Sequence, residues 1–100
     1  MNQSYLNMLG LANRARKLIL GEENIVESIR HNEAQLVLIA NDASQNTTKK
    51  LTDKCQSYHV PYVIVSDRQT LSQSIGKDGR VAIAVTDKGF ANKLLEKLSE

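Results

Sequence analysis

Arg14-Ala-Arg-Lys-Leu-Ile-Leu-Gly-Glu-Glu-Asn-Ile-Val-Glu-Ser-Ile-Arg30 decides how this chain folds. A basic segment leads into the aliphatic run Leu18–Leu20, which breaks at Gly21 and gives way to a helical repeat. Ile25, Val26 and Ile29 recur at the spacing that puts side chains on one face of a helix. Glu22 and Glu23 fall in its first turn, where negative charge complements the dipole. Gly21 suits the junction because it adopts backbone angles that other residues resist. The stretch therefore reads as a strand over Lys17–Leu20, a glycine corner, and a helix from about Glu22 to His31. Free N–H groups at a helix start can bind an anion or a base edge, so this corner is also the first candidate site.

Working outward, Tyr5, Met8, Leu9, Ala12 and Ala15 repeat every three or four residues, which predicts a helix over residues 4–15 with Ser4 as its N-cap. Leu36–Ala40 is apolar at every position, as in a strand covered on both faces. Asn41–Asn46 is turn and capping chemistry. A helix is expected from Thr47 to Tyr58, with Leu51, Cys55 and Tyr58 on one face and Lys49, Lys50 and Lys54 on others. Pro61 disfavours helix in the residue before it, and Tyr62–Val65 reads as the next strand. Ser66-Asp67 can cap a short helix carrying Leu71 and Ile75. A turn over Gly76–Gly79 precedes the strand Val81–Val85, and Asp87 caps a closing helix with Phe90, Ala91, Leu94, Leu95 and Leu98 on its stripe. Helix and strand alternate strictly, five of one and four of the other. That order predicts an α/β protein: a three-layer α/β/α sandwich with a four-stranded sheet covered by five helices.

The 100 residues fit one domain, residues 1–100, with no linker, repeat or low-complexity tract to divide them. With 41% hydrophobic residues, one Phe and no Trp, the core must be mostly aliphatic. Cys55 is the only cysteine, so no internal disulfide is possible and a reducing compartment is expected. The longest apolar runs are too short to span a bilayer, and no signal peptide is read at the N-terminus. A soluble, cytoplasmic monomer without membrane association is expected. Net charge is only +2, which permits a polyanionic partner without demanding one. Residues 1–40 hold four basic and four acidic side chains, whereas residues 41–80 hold six and four, so the excess sits in the middle of the chain.

Little of this points to catalysis. His31 and His59 each fall at an expected helix end, where a capping role is commoner than metal ligation. The five glycines are dispersed rather than gathered into a phosphate loop. Ser, Cys and His occur without a recognisable nucleophile arrangement. Neither enzymatic activity, nor a metal, nor a cofactor is therefore expected. The Gly21 corner and the turn Gly76–Arg80 are the better candidates, because in an alternating fold such corners can lie at the same end of a sheet. Arg14, Arg16, Lys17, Lys77 and Arg80 could then hold a phosphate backbone beside them.

Four segments carry a resemblance: GLANRARKLILGEENIVESIR (residues 10–30), LVLIANDASQNTTKKLTDKCQSYHVPYVIV (36–65), LSQSIGK (71–77) and VAIAVTDKGFANKLLEKL (81–98). Together they resemble the ribosomal protein L7Ae/L30e family of kink-turn RNA-binding proteins, in the family's order and over almost the whole chain. The resemblance implies an L30e-like α/β/α sandwich that binds structured RNA, ribosomal RNA among the possibilities, in association with the ribosome or translation. It further implies an RNA surface made by the strand–glycine–helix corner and the loop before the last strand.

Carried over by position, that surface comprises Arg16, Lys17, Gly21, Glu23, Asn24, Glu27, Ile75, Gly76, Lys77 and Arg80. The family's corner reads Gly-x-Asn-Glu-x-x-Lys or Gly-x-Lys-Gln-x-x-Lys. Here Glu23 and Asn24 form the polar pair, and Glu27 stands at the lysine position. Likewise the family's Leu-Gly-x-Ala-x-Gly appears as Leu71-Ser-Gln-Ser-Ile-Gly76. Carboxylates near phosphates are repelled, so a weakened or altered RNA specificity is implied. A different class of function, a protein-interaction module in translation or ribosome assembly, would use the acidic Glu22, Glu23 and Glu27 against a basic partner. A third, the stand-alone RNA-recognition domain of an enzyme, lacks a catalytic constellation.

Overall fold

The computed structural model describes residues 4–99. Its elements are α1 (Ser4–Arg14), β1 (Leu18–Leu20), α2 (Glu22–Arg30), β2 (Leu36–Ala40), α3 (Gln45–Ser57), β3 (Tyr62–Val65), α4 (Arg68–Gln73), β4 (Ala82–Val85) and α5 (Lys88–Leu98). The strands form one mixed sheet in the order β1-β4-β2-β3. β4 runs antiparallel to both β1 and β2, while β2 and β3 are parallel.

The sheet has two faces because side chains alternate along a strand. Leu36, Leu38 and Ala40 of β2, with Ile83 and Val85 of β4, pack against Tyr5 and Leu9 of α1, Leu71 of α4, and Ala91 and Leu94 of α5. Val37 and Ile39, with Ala82 and Ala84, face the other way onto Ile25, Val26 and Ile29 of α2 and Leu51 and Cys55 of α3. Three helices thus cover one face and two the other, which is the three-layer sandwich expected. All five residues of β2 are buried, as its uninterrupted apolar run required. Gly10 lets α1 come close to the end of α4, because a Cβ there would meet the Ser74 carbonyl at 3.1 Å. Tyr5 hydrogen-bonds through its hydroxyl to Ser66, tying α1 to the end of β3. Among the described residues, no helix is long and apolar enough to cross a membrane.

Departures from expectation cluster at helix ends. Ser4 is already helical in α1 rather than its cap, and Ala15 is exposed. α3 begins at Gln45, two residues before the expected start, because Ser44 caps it by accepting from the Thr47 amide. Tyr58 is exposed rather than aligned with Leu51 and Cys55, since the helix ends at Ser57 and Tyr58 follows as its C-cap. Lys17 and Val81 lie just outside the strands.

Three helices, α1, α2 and α3, finish in the same way, and α4 closes with the same long bond although its left-handed Gly76 comes two residues after its C-cap Ser74. In the Schellman ending, the residue after the C-cap turns left-handed and two backbone N–H groups reach back to the last turn. Lys17 N bonds Ala12 O at 3.0 Å, Glu33 N bonds Ser28 O at 2.8 Å, Val60 N bonds Cys55 O at 2.8 Å and Lys77 N bonds Ser72 O at 2.9 Å. The left-handed residues are Arg16, Asn32, His59 and Gly76, with φ of 61°, 59°, 59° and 68°. Only Gly76 is a glycine, and a side chain in this conformation is disfavoured by roughly 1–2 kcal/mol. His59→Gly should therefore stabilise the fold by about 0.5–1 kcal/mol, read as a raised urea midpoint. Gly76→Ala, where an added Cβ meets nothing within 4 Å, should lower stability through backbone strain alone.

Candidate nucleic-acid interface

The pairing directions make β1, β2 and β3 point the same way, with β4 opposed. One end of the sheet therefore gathers the carboxyl ends of three strands, the starts of α2, α3 and α4, and the loop entering β4. This is the end at which open α/β sheets commonly place ligands. Two of the three helix starts are closed by their own side chains: Ser44 accepts from Thr47 N, and Asp67 from Thr70 N. The third is not. Gly21, at φ 91° and ψ 131°, is the N-cap of α2 and supplies no side-chain bond. The first helical bond is Ile25 N to Gly21 O at 2.9 Å, so the amides of Glu22, Glu23 and Asn24 precede any intrahelical acceptor.

The two corners expected to lie together do meet. Gly21 and Glu22 share a recess of about 150 Å³ with Gly79, Arg80, Val81 and Ala82, and Thr47 of α3 closes its side. The loop is fixed from below by buried Ser72, whose hydroxyl accepts from Arg80 N at 2.8 Å and donates to Arg80 O at 3.2 Å. A second brace holds the neighbouring loops: Arg68 N donates to Asp42 Oδ1 at 2.9 Å, and its guanidinium reaches the Asp42 carbonyl and carboxylate. Lys77 and Asp78 are exposed on the same loop.

The acidic first turn of α2 is not bare. Lys50 of α3 places its Nζ 3.1 Å from Glu22 Oε2 and 2.9 Å from Glu23 Oε2. Thr47 donates to Glu22 Oε1 at 2.8 Å. Together they hold the Glu22 carboxyl below its ordinary range, the Thr47 bond contributing most, and Lys50 is pushed upward by Glu23 and then Glu22. Asn24 Nδ2 donates to the Leu20 carbonyl at 3.2 Å, which fixes the amide plane at the corner. Lys49 is paired with Asp53 at 2.9 Å. Two of the three lysines of α3 are therefore already engaged by carboxylates.

Other expected site residues lie elsewhere. Ile75 is buried in the core beside Leu71, and its carbonyl is taken by Asn13 Nδ2 at 3.2 Å. Glu27 sits about 9 Å along α2 from Gly21, bonded to Arg30 at 3.4 Å and His31 at 3.2 Å. Arg16 and Lys17 are at the opposite end of β1, about 10 Å from the corner along the strand. Gly76 ends α4, as described above. The sequence does not point to Thr47, Ser72 or the Asp42–Arg68 brace at this corner, nor to the pairing of Lys50 with Glu22 and Glu23, because nothing in the linear pattern says which residues of α3 face α2, or that Ser72 underlies the loop. Among the described residues, no group of three His, Cys, Asp or Glu is arranged to hold a metal ion. Burial pushes the Cys55 thiol up to about 11, so it stays protonated.

Comparisons with known proteins agree on one family. A family model for the ribosomal protein L7Ae/L30e/S12e/Gadd45 family matches residues 3–95. The RNA-binding protein YlxQ of Bacillus subtilis is 57% identical over 91 residues, 91% of each chain. The large ribosomal subunit protein eL8 of Thermoplasma volcanium is 26% identical over 98% of this chain and 82% of its own. A solved Bacillus halodurans protein superposes with a TM-score of 0.93 at 46% identity, covering 96% of this chain and 97% of the other.

Because its folded-state pKa is lowered, Glu22 contributes stability that is present above its unfolded value of 4.5. That contribution is lost as pH falls through the folded value. The stability advantage of the natural chain over Glu22→Gln should therefore shrink as pH falls below the ordinary glutamate value of 4.5, measured by denaturant unfolding of both proteins. Asp67, whose carboxyl is also held low by Thr70, is common to both and cancels.

Proposed function

We propose, on the premise that this chain belongs to the ribosomal protein L7Ae/L30e/S12e/Gadd45 family, that residues 1–100 form a single non-catalytic module binding structured RNA with a kink-turn-like bend. The observation that carries this reading is the shared recess: the uncapped start of α2 and the braced 77–80 loop open onto one small space. Its similarity to an RNA-binding protein of Bacillus subtilis supports the same reading. Similarity to the archaeal ribosomal protein supports a place with ribosomal RNA, the ribosome or translation. The module would act in the cytoplasm as a monomer.

RNA recognition of this kind depends on shape and on bases that have left their stack. Gly21 lets backbone approach the bent RNA without a Cβ in the way. Asn24 gives one amide N–H to Leu20, which leaves its oxygen to accept from base amino groups. Glu23 offers further acceptor capacity, and its charge is partly offset by Lys50. Lys77 and Arg80 hold phosphates from the loop side. Binding needs only preformed geometry and charge, so no cofactor takes part.

An alternative belongs to another class. The charged residues at this end comprise Glu22, Glu23, Asp42, Asp67 and Asp78 against Lys50, Arg68, Lys77 and Arg80, a balance that also suits a basic protein of translation or ribosome assembly. A partner captured equally well after nuclease treatment would favour this alternative.

Titration against a kinked RNA and a straight duplex of equal length, at two salt concentrations, tests the main reading. A preference for the kinked RNA is expected, and equally weak binding to both would sink the reading. Asn24→Ala should weaken kinked-RNA binding several-fold, since a direct base contact is commonly worth ~1–3 kcal/mol. Lys50→Gln should also weaken it, by leaving Glu22 and Glu23 uncompensated, and Lys50→Arg should restore most of the affinity.

A further inference from the structure

Positive charge is concentrated at the end of the sheet away from the Gly21 corner. There the ends of α1 and α2, the entries to β1 and β2, and the exit of β4 into α5 come together. That end carries Arg14, Arg16, Lys17, Arg30 and Lys88 against Glu27, Glu33 and Asp87. The carboxylates are partly occupied: Glu27 serves Arg30 and His31, and Asp87 caps α5 by accepting from Phe90 N at 2.9 Å. Arg16, Lys17 and Lys88 are exposed and have no carboxylate within ion-pair distance among the described residues. A groove of about 470 Å³ runs beside them, lined by Arg16, Asn32, Glu33, Gln35 and Thr86 over Leu18 and Ile19. Thr86 joins the two sides, its N–H and hydroxyl both donating to the Lys17 carbonyl, at 2.9 and 3.1 Å.

Cations at helix C-termini are expected on dipole grounds alone. Arg16 asks for more than that. It occupies a left-handed position, φ 61°, where glycine would be favoured, and it lies beyond the end of α1 while lining the groove. Asn32 and His59 take the same left-handed turn, so the feature that sets Arg16 apart is an exposed cation on the groove without a carboxylate partner among the described residues.

We infer that Arg16, Lys17 and Lys88, with Asn32, Gln35 and Thr86, form a second RNA-binding surface, separate from the corner, that grips the phosphates of another stretch of the same RNA. The inference rests on the RNA-binding reading above and extends it. The corner, nearly neutral and rich in acceptors, recognises bases; the far end, with a net excess of cations, holds backbone. β1 separates the two by about 10 Å, so an RNA arm lying along this edge strand passes both.

The test uses two RNAs with the same kink, one with arms too short to reach the far end and one with an extended arm. The variants are Arg16→Gly with Lys17→Gln, and Asn24→Ala as the corner control. Arg16→Gly removes the cation while relieving the backbone, so weaker binding cannot be blamed on a damaged fold; thermal melting of the variant checks this. The paired variant should bind the extended RNA about threefold or more weakly, with a salt slope shallower by roughly 0.7–0.9 for each phosphate no longer neutralised. It should bind the short RNA as the natural chain does. Asn24→Ala should weaken both. An extended RNA bound equally well by the paired variant, with an unchanged slope, would overturn the second surface. Equal weakening on both RNAs would also overturn it, making Arg16 and Lys17 part of the corner's own footprint. A natural chain that binds neither RNA would defeat this inference together with the reading it rests on.

Discussion

Five consecutive apolar residues, Leu36–Ala40, set the terms for the whole molecule. A strand with no polar face must be covered on both sides, because each aliphatic side chain left in water forfeits roughly 1.5–3 kcal/mol of burial. Leu36, Leu38 and Ala40 recruit α1, α4 and α5, while Val37 and Ile39 recruit α2 and α3. Covering a strand on both faces with helices that follow its co-directional neighbours brings the starts of those helices to one end. The candidate interface is thus a by-product of how the core is closed. The core is mostly aliphatic, with Tyr5 as its one buried aromatic residue among those described.

The two ends of the sheet differ in electrostatic character in a way that net charge conceals. At the corner, Lys50 reaches across from α3 to hold two carboxylates of α2, and Thr47 adds a hydrogen bond to one of them. Such an arrangement trades raw attraction for directional acceptors on a fixed frame. At the far end the cations stand largely without partners. Attraction to a polyanion and discrimination among RNA shapes are different physical tasks, and the two ends of this sheet differ in the property that each would need.

How much of this was legible in the sequence depended on whether the signal was local. β2 and β3 were read to the residue, because runs of aliphatic and aromatic residues between turn formers have few alternatives. Helix ends were harder. Asn41–Asn46 contains several residues able to cap, and only the structure shows that Ser44 does so. Tyr58 keeps step with Leu51 and Cys55 in periodicity but falls just past the end of α3, where the chain turns it outward. The separation of Arg16 and Lys17 from the corner has a similar origin. Arg16 and Lys17 are near Gly21 in sequence, yet an extended strand carries neighbours apart at about 3.4 Å per residue. Conversely, Gly21 and Arg80 meet because β4 pairs with β1, a relation that no periodicity reveals. The salt bridges of Lys50 were invisible for the same reason, since they depend on which flank of α3 faces α2.

The position of β4 has a consequence in time. β1 has a single neighbour in the sheet, and that neighbour is formed by Ala82–Val85, more than sixty residues later. While the chain is being synthesised, β2 and β3 can pair as soon as both have emerged, but β1 must wait for nearly all the rest. Pairings so distant in sequence are slow to form because a long loop must close first. The Gly21 corner hangs from β1, and its partner loop leads directly into β4. A nascent chain can therefore hold a partly formed sheet and still lack the corner. The last strand takes its place between β1 and β2, so completion of the corner depends on the most distant strand pairing in the chain.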